Sequence, residues 1–349
     1  MRKLLTQLSL AGSLAAVGFA LATASAQAET VLRTQLGQNA GDFVYRFISE
    51  EWMPKIETMT EGRVKFEAFP TNGVVPSNEA VDAVADGVLQ ADLISPVLYS
   101  GKDPGYALIG DLIAGYDRPD QMATWCMHGG GKEFLQQLHD KYTDGRVHVV
   151  GCMPYSREAL VANTPINTVA DLQGVKIRAP EGLSSEVFRR AGATPVALPF
   201  SEVYSALEKG VVDAADASAY VNNASQGFND IAPNPLFPGI HSMPVYEFVV
   251  NKDVWDNLLD ADRVSLETWY YAAYTALSRV ADIEDLKLVR EHSKEGSKVN
   301  VIDWAQKDRD AFRKFAAEAW SDFSKQNEIA GEIYDSHIQF LTNLGLLDE

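Results

Sequence analysis

Hydrophobic and polar positions along this chain run through the same succession twice. In the first pass Val31–Leu36 reads as a strand. Phe43–Met59 repeats apolar residues at helical spacing, entered by Asp42 and left near Gly62, and Val64–Phe69 is a second strand. Ser77 then starts a helix with Val81 and Val84 inward and Gly87 at its end, before a third strand at Ala91–Ser95. The second pass begins at Val175–Arg178, a short strand stopped by Pro180 and Gly182. Ser184 is expected to cap a helix through Ala191, with Glu186 in its first turn and Gly192 just past its end. Thr194–Leu198 is the next strand and Pro199 closes it. Ser201 caps a helix whose apolar face is Val203, Ala206 and Leu207, Gly210 ends it, and Val211–Ala215 is the third strand. Two such βαβαβ units predict two similar α/β lobes. In open α/β sheets ligands sit beyond the carboxyl ends of the strands, so a cleft between the lobes is the natural site.

Between the units lie a helix at Asp120–Met127, a break at Gly129-Gly130-Gly131, a helix at Lys132–Tyr142 and a strand at Arg146–Cys152. The glycine triplet precedes Lys132-Glu133, lacks a hydroxyl residue after the lysine and follows no strand, so it reads as a helix interruption and not a phosphate loop. After Asp216 no strong helix signal appears before the strand Val245–Asn251. Leu258 to His292 is one long helix with Val264, Leu266, Trp269, Tyr270, Ala273, Leu277 and Val280 on a broad apolar face, expected to bridge both lobes. Two further amphipathic helices between Trp304 and Leu347 are expected to pack on the second lobe. The division is thus lobe I at 29–153 plus about 243–270, and lobe II at 154–242 plus about 271–349.

Residues 1–28 have the form of a cleaved secretory signal: Arg2 and Lys3, an apolar stretch from Leu8 to Leu21, and Ala26-Gln27-Ala28. Removing them takes the formal charge from −18 to −20. No concentrated run of Lys or Arg occurs, so nucleic acid is excluded as a partner. In an exported protein Cys126 and Cys152 are free to pair; the reading leans to a bridge, with two buried thiols as the alternative. There is no G-x-S-x-G and no H-E-x-x-H, and the six histidines show no metal spacing, which argues against an exported hydrolase.

Arg178, at a strand end before a helix, is the conspicuous candidate. Its planar guanidinium can clamp a carboxylate or form a surface salt bridge. The run GVKIRAP…AGATPV…PFSEVYSALEKGVVDAAD resembles the central segment of the DctP-type solute-binding proteins of tripartite ATP-independent periplasmic (TRAP) transporters. Weaker similarity extends over most of the chain, including NKDVWDNL. The resemblance implies a two-lobed periplasmic binding-protein fold and a binding function without catalysis. It also implies membrane subunits of a transporter as partners, and a ligand carboxylate on Arg178. Arg157, eight residues before Pro165, matches the spacing of the family's second ligand-side arginine.

The sequence departs from the 2-oxo-acid branch of that family. His241 and Met243 stand where tryptophan and glutamate are expected, and Ala217 replaces another tryptophan; the asparagine of the commoner branch near 217 is also absent. No metal and no cofactor is therefore expected, with Asp216 acting as a hydrogen-bond acceptor or pairing with an arginine. The vacated volume at Ala217, with Tyr99, Tyr155, Tyr220 and Tyr246 near strand ends or cleft loops and His241 at the rim, points to a monocarboxylate with an aromatic or branched body. A pyruvate- or lactate-like acid bound with a metal ion is the alternative. A long helix mediates dimers in that branch, but a monomer is the expectation here.

Overall fold

The computed structural model describes residues 29–240 and 242–347. The proposed signal segment and His241 lie outside the described residues. The first unit is β1 (Thr30–Leu36), α1 (Phe43–Arg46), a π-helical turn (Phe47–Trp52), α2 (Met53–Met59), β2 (Val64–Phe69), α3 (Ala80–Ala85) and β3 (Ala91–Leu93). Asp42 caps α1, its Oδ1 accepting from the Tyr45 N–H at 2.8 Å. Helices α4 (Pro104–Gly110), α5 (Pro119–His128) and α6 (Gly131–Thr143) lead to the adjacent strands β4 (Val147–Pro154) and β5 (Glu158–Ala162). The second unit is β6 (Lys176–Arg178), α7 (Leu183–Arg190), β7 (Thr194–Val196), α8 (Val203–Glu208) and β8 (Ala214–Ala219). After it come α9 (Tyr220–Ser225), α10 (Phe228–Ile231), β9 (Val245–Asn251), α11 (Lys252–Asn257), α12 (Asp260–His292), α13 (Gln306–Ser324) and α14 (Glu328–Asn343).

The two units have one topology. β1 pairs in parallel with β2 and β3, and β6 in parallel with β7 and β8. Each three-stranded half is then extended on the same side by an antiparallel strand from outside the unit. The sheet orders are β2-β1-β3-β9-β4 and β7-β6-β8-β5. The chain crosses from the first sheet to the second in the three residues between β4 and β5, and returns before β9.

Several local expectations shift. β8 begins at Ala214 and not Val211, because Gly210 at φ +66° prolongs the turn and Val211 stays exposed, so Asp216 lies within the strand and not beyond it. Helix α7 starts at Leu183 without a side-chain cap: Gly182 takes φ +97° to turn the chain, and Ser184 lies one residue inside. Ser201 falls within a 3-10 turn, Phe200–Glu202, ahead of α8. Elements α4, β5, α9 and α10 are additions to the sequence reading.

The long helix α12 packs on β4, α2 and the π turn of the first half and on α9 of the second. Its buried stripe is Leu266, Trp269, Tyr270, Ala273, Tyr274, Leu277 and Ala281, whereas Val264 is 60% exposed because it faces away from both sheets. The C-terminal pair also departs from expectation. α13 lies against α7 and also against α4, and α14 packs on α4 and α6 of the first half. The contact with α4 is close: a Cβ on Gly105 would stand 2.9 Å from Ile333 Cδ1. His337 of α14 accepts from the Tyr116 hydroxyl at Nδ1 (2.8 Å) and donates from Nε2 to the Leu108 carbonyl (3.1 Å), while its ring stacks on Trp125. Burial pushes this imidazole down to about 3, so it is neutral and both bonds are kept across the physiological range.

Cys126 of α5 and Cys152 of β4 form a disulfide with a sequence separation of 26. Closing a loop of that length removes denatured-state entropy worth about 3.5 kcal/mol. Replacing both by serine is expected to lower the unfolding free energy by roughly that amount, seen as a reduced urea midpoint, with a steeper slope because the unlinked denatured chain is more expanded.

Candidate functional site

The two sheets face each other with the carboxyl ends of their parallel strands, and the polar groups there come from short segments that follow each strand. From the first sheet come Gly37 and Gln38 after β1, Ser95, Val97 and Leu98 after β3, and Pro244 and Tyr246 at the start of β9. From the second come Glu158 of β5, Arg178 and Pro180 of β6 and its loop, Ser184, Phe200 after β7, and Ala217 and Ser218 of β8. Together with Asp111 they enclose a cavity of about 90 Å³. Gly37 is required by the closeness of the walls, since a Cβ there would meet the Tyr246 ring at 2.7 Å.

Arg178 is 5% exposed. Its Nε donates to the Leu198 carbonyl (3.1 Å) and its Nη1 to the Asp216 carbonyl (2.5 Å), so the loop after β7 and the middle of β8 hold the guanidinium in place. Two of its five N–H donors are engaged in this way. Also lining the cavity, Ser95 Oγ is buried with no hydrogen-bond partner among the described residues, and the Gln38 amide is turned to the Tyr246 hydroxyl.

Three buried carboxyl groups face this one cation. Ser242 Oγ lies 2.5 Å from Asp111 Oδ2 and 3.0 Å from Glu158 Oε2, and the Met243 N–H donates to Asp111 Oδ1 at 3.1 Å. A hydroxyl has a single proton to give, so one of the two carboxyls it touches is best satisfied by carrying its own. Tyr155 donates to Glu158 Oε1 at 3.1 Å and contacts Ser218 Oγ at 2.8 Å. Burial raises the pKa of Glu158 well above the carboxylate range, with Asp216 and Asp111 adding to the rise. Burial also pushes Asp111 up to about 7 against its bonds from Ser242 and Met243. Asp216 is pushed up to about 6 by burial, opposed by Arg178 and by a bond from protonated Glu158. Without that proton, both Asp216 carboxylate oxygens are buried and unpartnered among the described residues. Burial lowers the Arg178 pKa, and Asp216 and Glu158 oppose the fall.

The geometry brings together Arg178, Ala217 and Tyr246, with Asp216 directly behind. Tyr155 is one layer out, edge-on to the Tyr246 ring at 5.1 Å. Tyr99 does not reach the cavity: it is packed in the first half against Tyr106 and His139. Tyr220 lies on Phe237 with its hydroxyl on His292 Nδ1 (2.6 Å). Arg157 is also elsewhere. β5 begins at Glu158, which lines the cleft, while Arg157, in the crossing segment before the strand, donates to the Asp117 carbonyl (2.8 Å). It lines a separate cavity of about 420 Å³ with Arg118, Arg279 and Asp282. Sequence reasoning missed Glu158, Asp111, Gln38 and Phe200.

The sequence profile of the DctP family, bacterial extracellular solute-binding proteins of family 7, matches residues 37–327. The chain belongs to that family. Among solved structures, a TRAP periplasmic solute-binding protein from Rhodobacter sphaeroides in an apo open form is 35% identical, with a TM-score of 0.74 over 91% of this chain and 100% of that one. A monocarboxylate 2-oxoacid-binding periplasmic protein from a Nostoc strain is 30% identical over 217 residues, 61% of this chain and 58% of the relative, so the match spans little more than half of that protein. A TRAP solute-binding protein from Bordetella bronchiseptica, with calcium and picolinate copurified in one site, has a TM-score of 0.78 over 91% of this chain and 93% of that one at 24% identity, a likeness of fold. Among the described residues no helix is long and apolar enough to cross a membrane.

A metal such as calcium does not fit the DctP-family site of this chain. Asp111 accepts from the Met243 N–H, the single Ser242 proton is shared between Asp111 and Glu158, Glu158 accepts from Tyr155, and protonated Glu158 bonds Asp216, so the three carboxyls are taken up by one another and by these donors. A hard cation needs six or more oxygens. No group of three His, Cys, Asp or Glu among the described residues is arranged to hold an ion.

The raised Asp111 gives a pH test. Its proton is held more tightly in the folded chain than at the ordinary value of 3.8, so it contributes stability that is present below pH 4 and lost as pH rises toward 7. The full difference amounts to roughly 4 kcal/mol. Urea titrations from pH 4 to 8 are expected to show this decline in the wild type and a curve flatter by that order in Asp111→Asn.

Proposed function

We propose that this protein is the solute receptor of a TRAP transporter. It captures a small organic acid in the cleft between the two sheets, its carboxylate on Arg178, and delivers it to membrane subunits. The observation that carries the reading is the buried Arg178 guanidinium at the wall of the cavity, which Gln38 and Ser95 also line, with three of its five N–H donors not taken by protein carbonyls. A planar carboxylate satisfies such a set, and capture proceeds by one lobe closing on the other. Residues 1–28 would direct export to the periplasm.

Phe200 and Tyr246 on the walls favour a body with an apolar face. The cavity of about 90 Å³ is smaller than the roughly 150 Å³ that accommodates benzene. A short branched monocarboxylate therefore fits better than an aromatic one. A second reading, a 2-oxo or hydroxy acid, is favoured by the Nostoc relative, but without the metal ion that this donor set does not accommodate.

Native mass spectrometry of the purified protein is expected to find a copurified small acid. Calorimetry with that acid should show a loss of about a hundredfold or more for Arg178→Ala, since an uncompensated buried charge costs on the order of 3–5 kcal/mol. Arg178→Lys should not restore it, because a point charge cannot make paired bonds. Wild-type affinity in either variant overturns the assignment. Chelator-treated protein should bind the acid unchanged; loss of binding restored by calcium or sodium contradicts the metal-free site.

A further inference from the structure

Apart from the cleft, a cavity of about 420 Å³ lies between α5 and α12, over the segment in which the chain crosses from the first sheet to the second. Ala123 and Met127 line it from α5, one turn apart, as Tyr274 and Ser278 do from α12; Met153 and Arg157 come from the end of β4 and the crossing. The Cys126–Cys152 disulfide joins α5 to β4 at the residues directly before Met127 and Met153, so these two walls cannot separate. The charges here do not cancel. Arg118 is held by Asp120 through paired bonds of 2.9 and 3.0 Å, which leaves two cations, Arg157 and Arg279, against the single carboxylate of Asp282. Arg279 is exposed, and Arg157 is partly buried. Arg157 gives one N–H to the Asp117 carbonyl (2.8 Å), and its Nε has no hydrogen-bond partner among the described residues. Burial lowers its pKa; Asp282 opposes the fall, Arg309 adds to it, and Asp117 and Asp285 also oppose it. Asp117 is itself paired with Arg313, and burial pushes Asp285 up to about 7, so neither cancels the Arg157 charge in full. A positive surplus in a chain of formal charge −18 marks a place where an anion is favoured.

We propose that this cavity is a second binding site, taking an organic anion whose acidic group meets Arg157 and Arg279 and whose apolar body, of phenylalkyl size, lies on Met127, Met153 and the Tyr274 ring. A carboxylate makes charge-assisted bonds with guanidinium groups, and the Ser156 and Ser278 hydroxyls line the same space. Methionine side chains adapt to an irregular apolar body. The volume falls within the roughly 300–1,000 Å³ of small-molecule pockets and exceeds the cleft cavity of about 90 Å³, so the occupant is a larger molecule than the acid held on Arg178. Its position also matters. Ser156 and Arg157 fall between Tyr155 and Glu158, which bond each other at 3.1 Å, so the occupant touches the crossing on which lobe closure turns. The site is independent of the Arg178 reading.

Two probes, each an acid with its uncharged alcohol, test the site: 4-phenylbutyrate with 4-phenylbutanol, and octanoate with 1-octanol. Calorimetry at pH 7 is expected to show at least one acid binding at one equivalent, about tenfold or more tighter than its alcohol, and equally well to wild type, Arg178→Ala and Arg178→Lys. Ser278→Trp, which fills the space from α12, and Arg279→Glu, which reverses the exposed charge, should each weaken the acid about tenfold or more, with Arg279→Glu leaving the alcohol unchanged. Circular dichroism confirms the fold of each variant. Loss of the acid's binding in both folded Arg178 variants places it in the cleft and overturns the inference while the Arg178 reading stands. Binding unaffected by Ser278→Trp and Arg279→Glu, an acid no tighter than its alcohol, or no binding of either acid to the wild type also overturns it, and none of these outcomes touches the Arg178 reading.

Discussion

Burying Arg178 is the constraint around which the cleft is built. A guanidinium removed from water needs its donors engaged and its charge opposed, or the fold loses several kcal/mol. The second sheet meets them in part. The Leu198 and Asp216 carbonyls engage two donors and fix the plane of the group, and the Asp216 side chain opposes its charge, with Glu158 of β5 nearby. Because β6 pairs with β7 and β8 through Arg178 opposite Val196 and Ala215, the arginine cannot move without breaking the register of the sheet. The group presented to the cleft is thus as rigid as the sheet that carries it.

That rigidity extends through hydroxyl intermediates. Tyr155 joins Glu158 to Ser218, and Ser242 joins Glu158 to Asp111. These bonds link strand β5, strand β8, the residues after α4 and the segment leading into β9. Tyr155 lies in the chain's crossing to the second sheet and Ser242 in its return. The electrostatics of the cavity and the geometry of the crossing are therefore one network, and a change in protonation at the cavity is felt at the chain crossings.

The repeated unit was legible because strands β1, β2, β6, β7 and β9 and the helices between them carry ordinary signals: short apolar runs, Asp42 as a cap, glycines at helix ends. The units also repeat one another, so each strengthens the other. Strand β5 was not legible, because all five of its residues are buried and no alternation marks its two faces. Its registration is set by pairing with β8 and by bridges to Pro233 and Leu236, and it brings Glu158 into the cleft. Helices α9 and α10 are short and are held by tertiary contacts, among them Asp285 accepting from the Val221 N–H. Tyr99 and Tyr220 illustrate the limit of composition. A tyrosine near a strand end carries no mark that tells a pocket ring from a core ring, and packing against Tyr106 and Phe237 decided both. Arg178 was legible because a charged residue that ends a buried strand has few places to go except the ligand's end of the sheet.

The borrowed strand β9 has a consequence for how the chain folds. The second sheet is complete within residues 158–219, a local stretch whose partners are all close in sequence. The first sheet has four strands before residue 155 but cannot join β3 to β4 until residues 245–251 take the place between them. Until then both strands have open edges toward the gap, the kind of surface that recruits other chains. The half that begins the polypeptide must therefore wait for the half that ends it. A chain truncated before β9 would hold a finished second sheet and an unfinished, association-prone first one.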